Sequence, residues 1–134
     1  MALETLNLTK NQQTVLDILE SASEPLKAYT ILFDIQKKGI KSPLQVYRAL
    51  DKLIEIGKVH KIESRNSYVA CKHEGCNAKT STSFLICENC DSVTELTGNN
   101  LFSYFSKQAK KNSFNYKKHN LEIFGLCENC KLKN

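Results

Sequence analysis

Apolar positions recur with a helical period three times in the first 57 residues and alternate over residues 58–71. Val15, Leu16, Ile18 and Leu19 follow Thr9, a residue type that caps helix N-termini, and the pattern stops before Pro25, which predicts a first helix. A second stretch from Leu26 to Lys38 puts Ile31, Leu32 and Ile35 on one face, and Gly39 behind two lysines marks its end. The third helix has the clearest start: Ser42 can cap, Pro43 suits the first helical position, and Gln45 three residues after Ser42 completes a capping box. Val46, Leu50, Leu53 and Ile54 supply its buried face before Gly57. Two short alternating runs, Lys58 to Glu63 and Ser67 to Cys71, then flank Ser64-Arg65-Asn66 and predict a hairpin.

Three helices followed by a hairpin is the order of a winged helix-turn-helix, in which the last helix enters the DNA major groove and the hairpin lies beside the backbone. The same geometry also serves protein contacts. On the third helix Gln45, Arg48 and Lys52 lie off the apolar face, and Tyr47 adds a hydroxyl and a flat ring. Arginine can pair with guanine edges through two hydrogen bonds, while lysine and tyrosine suit phosphate. Each of the four would serve equally well as a solvated surface residue.

Beyond residue 82 the pattern changes. Ser83 to Cys87 and Ser92 to Leu96 predict strands joined across a Cys-x-x-Cys turn. Leu101, Phe102, Phe105 and Ala109 space correctly for a helix from Asn99 to Lys111, and Tyr116 to Leu126 predicts a strand entering a second Cys-x-x-Cys. This is a small α+β unit whose own core is thin, and units of about 50 residues usually need a metal or a partner subunit.

Composition bounds the function. The 134 residues, 41% hydrophobic and 25% charged, suit one medium or two small globular domains and exclude a disordered or collagen-like polymer. The formal charge of +5 divides almost evenly, +2 over residues 1–70 and +3 over the rest, so neither half is a basic tail. No apolar run approaches the roughly 20 residues of a membrane span, and the start MALETLNLTK lacks the order of a signal peptide, so the expectation is a cytoplasmic protein with no membrane partner.

The six cysteines sharpen this, because all of them lie in residues 71–134 and a reducing compartment favours metal ligation or redox chemistry over disulfides. Cys87-Glu-Asn-Cys90 and Cys127-Glu-Asn-Cys130 can place four thiolates around one zinc ion in a closed tetrahedral shell with no open position for catalysis. A thioredoxin-like motif is the competing reading, but it would be expected once, within a βαβ pattern. An iron–sulfur cluster could also use four cysteines, without particular support from the spacing. No nucleophile–base constellation accompanies them, which argues against an enzyme with a small-molecule substrate.

His60, Cys71, His73, Cys76, Glu95 and His119 are the remaining metal-ligand candidates. His60 falls in the hairpin, Cys71 at its end, and Cys71-Lys-His-Glu-Gly-Cys76 in the link between the two halves, so a metal held there would join them. Mixed sulfur, imidazole and carboxylate ligands from mobile segments can be emptied and refilled, as a sensor requires. The chain therefore divides into a winged-helix domain at 1–71, a metal-binding hinge at 72–82, and a dimerisation and zinc-binding domain at 83–134.

The run from Ser42 through Val46-Tyr-Arg48 and Val59-His-Lys-Ile-Glu-Ser-Arg-Asn-Ser-Tyr68 to Cys71 resembles the recognition helix and wing of the ferric uptake regulator superfamily, and more narrowly its zinc uptake regulator branch. Leu8-Thr9 with Val15-Leu16 is similar to the family's opening helix, and Phe84-Leu-Ile-Cys-Glu-Asn-Cys90 with His119 to Cys130 matches its dimerisation domain, so the likeness covers nearly the whole chain. The resemblance implies a homodimeric repressor that binds an AT-rich inverted repeat when zinc is plentiful and shuts off zinc-uptake genes. It implies DNA contacts at Tyr29 and Arg48, structural zinc on Cys87, Cys90, Cys127 and Cys130, and regulatory zinc on His60, Cys71 and Glu95.

The fourth regulatory ligand departs from the family. Relatives carry a histidine shortly before the first Cys-x-x-Cys, where this chain reads Thr80-Ser-Thr-Ser83, and Cys76 is the expected substitute, with His73 as the alternative. The family's further histidine-rich site keeps only His119, with hydroxyl side chains in place of its partners, which implies two zinc ions per chain. Two alternatives stay open at this point: a regulator of the same superfamily sensing another metal or peroxide, and a structural zinc-ribbon interaction protein.

Overall fold

The computed structural model describes residues 7–72, 81–96 and 100–132, with the Asn100 side chain left aside. The chain divides into two compact units, Met1–Ala78 and Lys79–Asn134.

The first unit holds helices α1 (Lys10–Ser21), α2 (Ala28–Gln36) and α3 (Pro43–Glu55), and strands β1 (Leu26–Lys27), β2 (Val59–Ile62) and β3 (Ser67–Ala70). Helix α1 starts at the predicted cap, and the cap is a full box: the Gln12 amide donates to the Thr9 hydroxyl while the Gln12 side chain accepts from the Thr9 amide. The box expected at α3 is absent. Ser42 occupies the N-cap position without a side-chain hydrogen bond, and Pro43, with φ preset for a helix and no N–H to satisfy, begins the helix.

Both α2 and α3 stop on glycines with left-handed backbones, Gly39 at φ 95° and Gly57 at φ 82°. In each the amide after the glycine reaches back to the last turn, Ile40 to the Ile35 carbonyl and Lys58 to the Leu53 carbonyl. Leu26 and Lys27, expected to open the second helix, instead form β1, which pairs antiparallel with β3. Two residues are too few to show a period, and the pairing depends on a strand 40 residues away.

The wing closes through a short 3₁₀ turn, Glu63–Arg65, and Asn66 at φ 47°, a residue type that tolerates the left-handed region. With β1 it makes a three-stranded antiparallel sheet in the order β1-β3-β2. Val15, Leu19, Ile31, Ile35, Val46, Leu50, Leu53 and Val59 lie buried between helices and sheet, Tyr68 and Ala70 among them.

The second unit is built on strands β4 (Thr82–Cys87), β5 (Val93–Glu95) and β6 (Asn120–Gly125) with helices α4 (Asn100–Lys111) and α5 (Glu128–Leu132). β4 lies between β5, antiparallel to it, and β6, parallel to it, with α4 in the crossover. The last strand starts at Asn120 rather than Tyr116. The Phe114 amide bonds back to the Ala109 carbonyl at the end of α4, and the Tyr116 hydroxyl bonds the His119 ring. The His119 amide donates to the Ser81 hydroxyl before the Thr82 amide meets the His119 carbonyl at the edge of the ladder. Helix α5 begins within the second Cys-x-x-Cys, at Glu128, and had no periodic signal of its own.

Candidate metal centre and nucleic-acid interface

The two identical Cys-Glu-Asn-Cys segments take different backbones. In the first, the Asp91 amide donates to the Cys87 carbonyl and the Cys87 amide to the Ser92 carbonyl, with Asp91 left-handed at φ 62°, so the chain turns from β4 into β5. In the second, the Lys131 amide donates to the Cys127 carbonyl and the segment runs into α5. The parallel pairing of β4 with β6 sets Cys87 beside Gly125, and the Glu88 amide donates to the Gly125 carbonyl, which fixes one turn against the other.

The result is a cluster of four sulfurs, Cys87, Cys90, Cys127 and Cys130, all within 4.8 Å of one another. The Cys90 and Cys127 sulfurs lie 3.8 Å apart. Four sulfurs at the usual zinc–sulfur distance sit about 3.8 Å apart along the edges of a tetrahedron. The donor set is all thiol, and Cys87 and Cys130 are buried while Cys90 is exposed. This arrangement fits a closed zinc site.

The electrostatics are graded within the cluster. Backbone hydrogen bonds from Cys127 and Cys90 hold the Cys87 thiol down to about 6, favouring the thiolate a metal needs. Asn89 donates its side-chain amide to the Cys130 sulfur at 3.2 Å, pulling that thiol down. Burial and the three neighbouring sulfurs outweigh it and push Cys130 up to about 11. Asn89 is a partner that ligand spacing could not reveal, because the same residue type recurs at Asn129 without marking which of the two bonds a sulfur.

At the other end of β4 the His119 ring sits in a cage of hydroxyls and rings. The Tyr116 hydroxyl is 2.6 Å from Nδ1 and the Ser83 hydroxyl 3.4 Å from Nε2, while the His119 amide donates to the Ser81 hydroxyl at 3.1 Å. Phe105 of α4 meets the ring edge-on at a centroid distance of 5.1 Å. Burial lowers the His119 pKa below the ordinary imidazole value.

The remaining candidates fall in different places. His60 is buried in β2 opposite Val69, and the Cys71 amide donates to the Lys58 carbonyl just beyond β3. Antiparallel register with side-chain alternation therefore puts His60 and Cys71 on the same face of the wing, one diagonal step apart. Glu95 ends β5 in the second unit, half-buried and opposite Phe84. Cys76 and His73 lie outside the described residues.

The nucleic-acid candidates are presented outward. Val46, Ala49, Leu50 and Leu53 turn α3 inward, leaving Gln45, Tyr47, Arg48 and Lys52 exposed, with Lys52 paired to Glu55 at 3.5 Å. Tyr29 at the start of α2 is 70% exposed. No helix among the described residues is long and apolar enough to cross a membrane.

Comparison with known proteins places this architecture. The ferric uptake regulator family model matches residues 4–124. The chain is 34% identical over 130 residues to the zinc uptake regulation protein of Escherichia coli strain K12, spanning 96% of this chain and 75% of that one. Among solved structures, holo XcZur is 38% identical and superposes with a TM-score of 0.84 over 96% of this chain and 89% of its own. A zinc uptake regulator complexed with zinc and DNA is 31% identical, with a TM-score of 0.85 over 95% and 85%. With its winged helix-turn-helix, its α+β second unit and its four-cysteine cluster, this chain belongs to the ferric uptake regulator family, and within it to the zinc uptake regulators.

Proposed function

We propose that this chain is a zinc-responsive transcriptional repressor, a homodimer that binds an AT-rich inverted repeat in DNA when its regulatory zinc site is filled and so represses zinc-uptake genes. The observation that carries this reading is the pairing, in one chain, of an outward-facing recognition helix with an all-sulfur metal centre, in a protein similar over its length to a regulator solved with zinc and DNA.

Cys87, Cys90, Cys127 and Cys130 hold the structural ion, and Tyr29, Gln45, Tyr47, Arg48 and Lys52 contact DNA. His60, Cys71 and Glu95 hold the regulatory ion with Cys76, or His73 in its place, which makes two ions per chain. Zinc supplies charge and a fixed ligand geometry when bound. His60 and Cys71 bring donors from the first unit and Glu95 from the second, so a shared ion favours one orientation of the reading heads. The exposed Phe102, Tyr104, Phe114, Ile123 and Phe124 of the second unit supply the apolar surface for a second copy.

Zinc and DNA then reinforce each other by the same factor, typically about 5- to 150-fold. The test titrates a second zinc equivalent into protein already carrying the first and follows binding to a labelled inverted-repeat duplex by anisotropy. Affinity rises with the second equivalent, and Cys71→Ser abolishes the rise; affinity independent of it rejects the regulatory site.

A further inference from the structure

Helix α3 carries one side chain that neither the core nor the charge argument uses. Of its apolar residues Val46, Ala49, Leu50 and Leu53 are buried and Ile54 packs half-buried against the core, but Leu44 is 56% exposed. A turn of about 100° per residue sets Leu44 diametrically opposite the buried ridge, one helical turn before Arg48 on the same outward face. Helix propensity does not call for leucine there, since glutamine or lysine would serve nearly as well.

Single exposed leucines are ordinary, so exposure by itself says little. Position says more. Leu44 sits in the first turn after Pro43, the end of a recognition helix that reaches base edges, flanked by exposed Gln45 and Tyr47. The major-groove edge of a base pair offers one apolar group, the C5-methyl of thymine, and an isobutyl side chain matches it.

We infer that Leu44 reads a thymine methyl group in the major groove and is a specificity-determining residue beside the polar set of α3. The inference rests on the DNA-binding reading above. Arg48, one turn further along the same face, supplies the polar contact to the neighbouring base or phosphate.

The experiment uses the full-length, zinc-loaded protein to select duplexes from a randomised inverted-repeat library, then replaces each thymine of the selected site by deoxyuridine, which lacks the methyl. At one position in each half-site the replacement weakens wild-type binding about three- to tenfold. Leu44→Ala weakens binding to the thymine duplex by a similar factor, is indifferent to deoxyuridine at that position, and melts at the wild-type temperature. Wild-type binding indifferent to every replacement, or Leu44→Ala retaining the thymine preference, overturns the inference while leaving the repressor standing. Failure of the wild type to enrich any duplex overturns the DNA-binding reading and this inference with it.

Discussion

In the first unit fourteen apolar side chains are buried together, drawn from all three helices, two of the strands and, at Ile40, the turn after α2, whereas among the described residues of the second only Phe84, Ile86, Cys87 and Cys130 are both apolar and buried. The second unit leaves Leu85, Phe102, Tyr104, Phe114, Phe124 and Leu132 exposed, more large apolar surface than the first, which exposes Tyr29, Phe33, Leu44 and Tyr47. The difference teaches how a small domain makes up for a missing core. One unit spends its apolar residues inward and finishes its helices with caps and glycine stops. The other closes one end with four thiols and the opposite end with the hydroxyl cage of His119, and leaves Phe102, Tyr104, Phe114 and Phe124 exposed.

The largest expected effect follows from removing a thiol. Cys127→Ser loses one zinc per chain by metal analysis, and hydrogen exchange of the β4 and β6 amides rises to that of an unfolded chain while the α1 and α3 core keeps its protection. Loss of protection in both units together would break the contrast. Next, Leu50→Ala empties a fully buried site in the first unit and costs about 2–5 kcal/mol by denaturant titration, with zinc content unchanged.

A smaller effect comes from acid. Burial depresses the His119 pKa, so the folded state disfavours the charged ring. The stability this allows is fully present above the ordinary imidazole value of about 6.5 and falls as the pH drops below it. His119→Phe flattens that part of the pH profile of the melting temperature; an unchanged profile would show that the cage does not titrate. The smallest effect is a gain. Helix α4 ends like α2 and α3, with the Phe114 amide bonded back to the Ala109 carbonyl, but Ser113 rather than glycine takes the left-handed position at φ 53°. Ser113→Gly therefore stabilises the second unit by about 0.5–1 kcal/mol, read as a small rise in its melting temperature.

Much of this was legible along the chain because its causes are local. The three helices follow from apolar spacing, Thr9 and Pro43 from their fit to a helix start, and Gly39 and Gly57 from the need for a left-handed residue after the last turn. The four cysteines were readable because two residues between the members of each pair keep both sulfurs within reach of one metal ion, whatever backbone the segment takes. The capping box went to the wrong helix: Thr9-x-x-Gln12 and Ser42-x-x-Gln45 look alike in sequence, but only the first closes.

Sequence by itself determined helices α1, α3 and α4, the body of α2, the wing and the number and spacing of thiols, because side-chain size and backbone preference act over a few residues. Only the tertiary structure decided that Leu26–Lys27 joins a sheet, that Asn89 bonds the Cys130 sulfur, and that Tyr116 and Ser83 enclose His119. It also decided that two identical Cys-Glu-Asn-Cys segments become a strand-linking turn in one place and a helix entry in the other. The physical reason is common to all four. Each depends on a partner supplied by another part of the fold, and no local preference of the residue can name that partner.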